Sequence, residues 1–92
     1  MGNFLFHQKP HAKKHTRRTF AGNFISDEKK LIIGITGNHE NDRFVRSIGK
    51  EIATDRASEP KNYLQQQGKQ IILENITAEK AKEVFFETIK TL

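Results

Sequence analysis

Three histidines, His7, His11 and His15, recur at intervals of four near the start of this chain. On a helix that spacing would stack the imidazoles on one face, a geometry able to hold Zn²⁺, Ni²⁺ or Cu²⁺. Pro10 interrupts the repeat, no carboxylate or thiolate accompanies it, and Lys9, Lys13, Lys14, Arg17 and Arg18 surround it with positive charge. Neutral imidazoles among five cations make a poor cation site. No metal and no cofactor is therefore expected, and the histidines read as hydrogen-bonding members of a basic segment. Such a segment suits the capture of an anion. The first 26 residues hold those five basic residues and no Asp or Glu, whereas from Asp27 to Leu92 eleven basic residues face eleven acidic ones. The formal net charge of +5 is thus localised on one stretch, which points to a polyanionic partner. Phe4, Phe6, Phe20 and Phe24 interleave with the cations, adding aromatic faces for bases to groups that can pair with phosphates. On a helix expected in mid-chain, Arg43, Arg46 and Lys50 line one edge and extend the candidate nucleic-acid-binding set.

Other constellations are incomplete. Gly37-Asn38-His39-Glu40 resembles the Gly-Asn-His-Glu/Asp signature of calcineurin-like metallophosphoesterases, in which Asn and His join a two-metal site that activates water. Its companions, an upstream Asp-x-His, a Gly-Asp-x-x-Asp and later histidines, are missing, and one corner cannot assemble a two-metal site. No Ser/His/Asp or Cys/His arrangement stands out, and Gly34, Gly37 and Gly49 are too scattered to cradle a phosphate. The expectation is a non-enzymatic protein.

The elements that position these residues are those of one small domain. At 92 residues, with 35% hydrophobic content and a mean hydropathy of −0.70, the chain suits a modest core. Cysteine is absent, so no disulfide framework is available. No apolar run approaches the ~18 residues of a membrane span. The acid-free beginning shares features with a mitochondrial presequence. Gly2 satisfies part of a myristoylation signal that Phe6 breaks. A soluble, cytoplasmic protein with no membrane partner is the expectation.

Residues 1–15 read as a basic N-terminal arm bearing an apolar knot, Phe4-Leu5-Phe6, and residues 16–92 as a single α/β domain. Alternation over Thr16–Ile25 predicts a strand, and Ser26 to Lys30 a polar hairpin turn into a second strand, Leu31–Thr36. Gly37-Asn38 ends it. A helix capped by Asn38 or Asn41 follows, with Phe44, Val45, Ile48 and Ile52 as its buried stripe through about Ala57, until Pro60. Residues 58–69 read as a polar loop, Gln70–Ile76 as a third strand, and Thr77 as the cap of a last helix. On that helix Ala81, Val84, Phe85, Ile89 and Leu92 share a face. The expected order is ββαβα, two layers with helices on one side of a small sheet. Phe86 falls off the packed face beside the acidic stripe Glu79, Glu83 and Glu87. It is expected to cover the loop around Tyr63 or, together with Phe4 and Phe6, to meet a partner.

The run Gly34 to Ala57 resembles a segment of small actinobacterial and phage-associated domains of unknown function, whose fold is like that of the double-stranded-RNA-binding domain. Gly34, Asp42, Val45, Ile48, Gly49, Glu51, Ala53, Arg56 and Ala57 fall at matching spacings. The resemblance implies a β-β-α unit, structural roles for Asp42 and Arg56, and a helix that lies close on the sheet through Gly49. It implies no activity. Glu40 and Asp42 stand where double-stranded-RNA readers carry basic residues at a helix start, which counts against that mode of recognition.

Two functional expectations follow. The first is a small accessory protein, of phage or mobile-element kind, that binds DNA, RNA or a ribonucleoprotein through its basic arm. The second is an interaction module or inhibitor that docks on an acidic protein surface or forms a homo-oligomer, with Phe4, Phe6 and Phe86 at the interface.

Overall fold

A computed structural model describes residues 2–8, 18–37 and 46–91. The chain forms β1 (Gly2–His7), β2 (Arg18–Ile25), β3 (Lys30–Gly37), α1 (Arg46–Ser58), α2 (Asn62–Gln66), β4 (Gln70–Leu73) and α3 (Ala81–Lys90). It is a small α+β domain. The four strands make one sheet in the order β1-β2-β3-β4, each neighbouring pair antiparallel.

The hairpin strands expected over Thr16–Ile25 and Leu31–Thr36 are present within two residues of those ends. The turn between them is tight: Lys29 adopts a positive φ of 52° and its N–H donates to Ser26 O at 3.3 Å. Residues 2–7, by contrast, are a strand and not part of an arm, paired without a break from Gly2↔Phe24 to His7↔Thr19. Three further elements also differ from expectation. The polar loop contains a short helix, α2, and β4 is shorter than Gln70–Ile76. The last helix begins at Ala81, its cap residue is Lys80, three residues beyond Thr77, and no side chain caps it.

The helices cover both faces of the sheet instead of one. Phe20, Phe24, Leu31, Ile33 and Ile35 point to the face where Ala81, Phe85 and Ile89 of α3 pack. Ala21 and Ile32 point the other way and pack against Ala53 and Ala57 of α1. The reason lies in β3, where Leu31 to Ile35 are all buried. A strand that is apolar at consecutive positions has no face to give to water, so it needs a layer on each side.

The close seat of α1 is made by small residues. A methyl group on Gly34 would collide with the carbonyl oxygen of Ala53 and lie 2.7 Å from Ala57 N, both backbone atoms. Gly34 is thus the strand position where the helix backbone rests. The helix offers that site Ala53 and Ala57, one turn apart, with half-buried Gly49 a turn before them. The buried stripe is therefore not Ile48 and Ile52, which are 54% and 37% exposed. Branched side chains would hold the helix too far from β3 for that contact. Phe44, Val45, Asn38, Asn41 and Asp42 lie outside the described residues.

Polar side chains close the end of α1, where the last carbonyls of a helix lack partners within it. Asn23 Nδ2 donates to Ala57 O at 3.1 Å, and Gln70 Nε2 donates to Arg56 O at 2.6 Å and Glu59 O at 2.7 Å. Arg56 Nη1 donates to Ile35 O at 2.7 Å, which ties the last turn of the helix to β3. Gln70, itself buried, also accepts from Lys61 N at 2.8 Å and Gln65 Nε2 at 3.2 Å.

Candidate nucleic-acid interface

The basic stretch sits between two paired strands. β1 ends at His7 and β2 begins at Arg18, so Lys9, Lys13, Lys14 and Arg17 belong to the connection of an antiparallel hairpin. Those four residues lie outside the described residues, as do His11, His15 and Arg43. The two ends of the connection are described, and they are joined. Gln8 N donates to Arg18 O at 2.8 Å, and Arg18 Nε donates to Gln8 Oε1 at 3.0 Å. The Arg18 guanidinium carbon also stands 5.3 Å from the centre of the Phe20 ring, a cation–π arrangement. Arg18 is half-buried and anchors the hairpin.

Arg18 is paired with Gly37 on its other side. The connection 9–17 and the connection 38–45 therefore leave the sheet from the same end. By sequence they carry Lys9, Lys13, Lys14, Arg17 and Arg43 against Glu40 and Asp42.

His7 belongs to β1, where its Nδ1 is 3.0 Å from Thr19 Oγ1. It is therefore not on a helix with His11 and His15, and the stacking that would have suited a metal does not include it. Among the described residues no group of three or more His, Cys, Asp or Glu is placed to hold a metal ion.

Of the helix residues in the basic set, Arg46 is the first residue of α1, and Lys50 is exposed. Lys50 lines a groove of about 590 Å³ between the β1–β2 hairpin and α1, together with Asn3, Leu5, Asn23, Thr54 and Ser58. This groove was not evident from sequence, because it depends on β1 extending the sheet beyond the reach of α1.

The aromatic residues expected at a partner interface meet one another. Phe4 stacks on Phe85 with ring centres 5.5 Å apart, Phe6 meets Phe86 edge-on at 5.9 Å, and Phe85 meets Phe86 at 5.1 Å. Phe86 thus covers β1 and not the segment around Tyr63, which faces α1 across a separate groove of about 530 Å³ with Ile52 and Asp55. Pairing between β1 and α3 was the missing information, since an off-face Phe acquires a role only when a strand lies beneath it.

No family model matches this chain, and no curated protein or solved structure matches it. Among the described residues, no helix is long and apolar enough to cross a membrane.

Proposed function

We propose that this protein is a non-enzymatic nucleic-acid-binding accessory protein whose contact element is the basic connection between β1 and β2. The observation that carries this reading is an acid-free run of cations held at both ends by the Gln8–Arg18 hydrogen bonds at one end of a packed sheet. A segment fastened at both ends to a hairpin presents its charges with less ordering entropy to lose than a free tail. Lys9, Lys13, Lys14 and Arg17 pair with phosphates. Arg18 holds the hairpin, and Lys50 supplies a further exposed cation on α1.

The test is a titration of labelled duplex DNA and single-stranded RNA over a range of salt concentrations. Four phosphates neutralised on duplex DNA give a log–log slope of about −4. Replacing Lys9, Lys13, Lys14 and Arg17 with Gln, while keeping Arg18, is expected to remove retention without changing the unfolding curve. Full affinity in that variant would refute the reading.

A second reading, docking on another protein, is supported by a different observation. Ile48, Ile52 and Tyr63 are exposed on α1 and α2. Capture of a protein partner that is lost when Ile48 and Ile52 become Lys, with no shift by nucleic acid, would favour it.

A further inference from the structure

We infer that two copies of this chain associate by pairing their β1 strands edge to edge in antiparallel fashion, giving one eight-stranded sheet. This inference does not depend on the nucleic-acid reading, and its test contains no nucleic acid.

Among the described residues, β1 lies at the rim of the sheet and pairs with β2 on one side. Exposed strand edges are usually blunted by lysine, proline, a bulge or shortness, because the unpaired N–H and C=O groups template further pairing. β1 has none of these devices. Its sequence, Gly-Asn-Phe-Leu-Phe-His, is six residues without Lys, Arg, Asp, Glu or Pro, and its register with β2 has no bulge. The opposite rim is protected: β4 is four residues long and bracketed by Lys69 and Glu74. Leu5 and Phe6, which point to opposite faces of the sheet, are 38% and 39% exposed, so both sides of this rim carry uncovered apolar surface.

The palindrome Phe4-Leu5-Phe6 suits this strand to a second copy of itself, and charge sets the direction of pairing. The strand itself has no Lys, Arg, Asp or Glu, yet it leads in sequence to Lys9, Lys13, Lys14 and Arg17. A parallel partner would set two such stretches side by side, whereas an antiparallel copy sends them to opposite ends of a strand about 20 Å long. A second copy on a two-fold axis perpendicular to the sheet is therefore the arrangement this edge admits. With Leu5 opposite Leu5 of the second copy, Phe4 faces Phe6 and Asn3 faces His7. Aromatic cross-strand pairs then cover one face and the two leucines meet on the other.

The experiment is light scattering of the whole chain over a wide concentration range, with two variants. The wild type is expected to reach twice 10.6 kDa. Leu5→Lys, at an exposed position, is expected to weaken association by about tenfold or more, with an unchanged circular dichroism spectrum. The chain has no cysteine, so Leu5→Cys reports the register directly. Directly opposed residues have Cα atoms about 4.5–5.5 Å apart, within disulfide range. Mild oxidation should therefore join the two introduced thiols across the interface, while a Lys90→Cys control stays unlinked. A wild type that remains at 10.6 kDa at all concentrations overturns the proposal. So does a dimer that persists undiminished in Leu5→Lys, or one in which the Leu5→Cys thiols fail to link.

Discussion

The carboxamide of Gln70 uses its full hydrogen-bonding capacity: the nitrogen donates to Arg56 O and Glu59 O, and the oxygen accepts from Lys61 N and Gln65 Nε2. It joins the end of α1, the start of α2 and the first residue of β4. A single buried side chain thus satisfies groups from α1, α2 and the linker between them, and its removal takes away those partners. Gln70→Leu has nearly the right volume and none of the polarity, so it should lower stability by about 3 kcal/mol, since each buried unpaired group costs about 1–3 kcal/mol. Urea unfolding measures this directly, and a loss near zero would mean that water replaces the network. Sequence placed Gln70 at the start of a strand but gave no sign of this network, because a Gln at the edge of a polar stretch has no pattern that marks it as buried. Arg56, for which a structural role was expected only from the family resemblance, donates to Ile35 O.

At the scale of elements, α3 and β1 hold one another through four phenylalanines, Phe4, Phe6, Phe85 and Phe86. Phe85 is fully buried, and its ring occupies the space that a side chain on Gly22 would fill, with an added methyl only 2.7 Å from Phe85 Cδ1. The peripheral pair is separable from this core. A double-mutant cycle on Phe6→Ala and Phe86→Ala should return a coupling of about 0.5–1.5 kcal/mol, the range for aromatic pairs in contact. Zero coupling would show that Phe86 covers something other than β1. The elements that sequence located best are β2 and the apolar face of α3, which have a period, and β3, which is an unbroken apolar run between turn residues. β1 escaped because an isolated Phe-Leu-Phe has no alternation to display. The packed side of α1 escaped for another reason: branched residues dominate a hydrophobic pattern, while contact with Gly34 required Ala53 and Ala57.

For the whole molecule, the clearest consequence is that the N-terminal residues belong to the fold. Deleting residues 1–7 should shift the unfolding midpoint to markedly lower urea and expose dye-binding apolar surface, since β2 loses its neighbour and Phe85 loses the Phe4 ring. An arm could be removed at no such cost, and an unchanged midpoint would return residues 2–7 to that status. Whether helices lie on one or both sides was also readable in principle. The consecutive buried run Leu31-Ile32-Ile33 signals a strand with no wet face, a stronger indicator than helix count. Cladding on both sides has a further implication for how anything large can engage this protein. With α1 and α3 lying over the central strands, the broad flat surfaces are already occupied. A macromolecule reaches the sheet itself at its perimeter, along β1 or at the strand ends next to the cation-rich link, whereas the outer faces of α1 and α2 offer a separate surface.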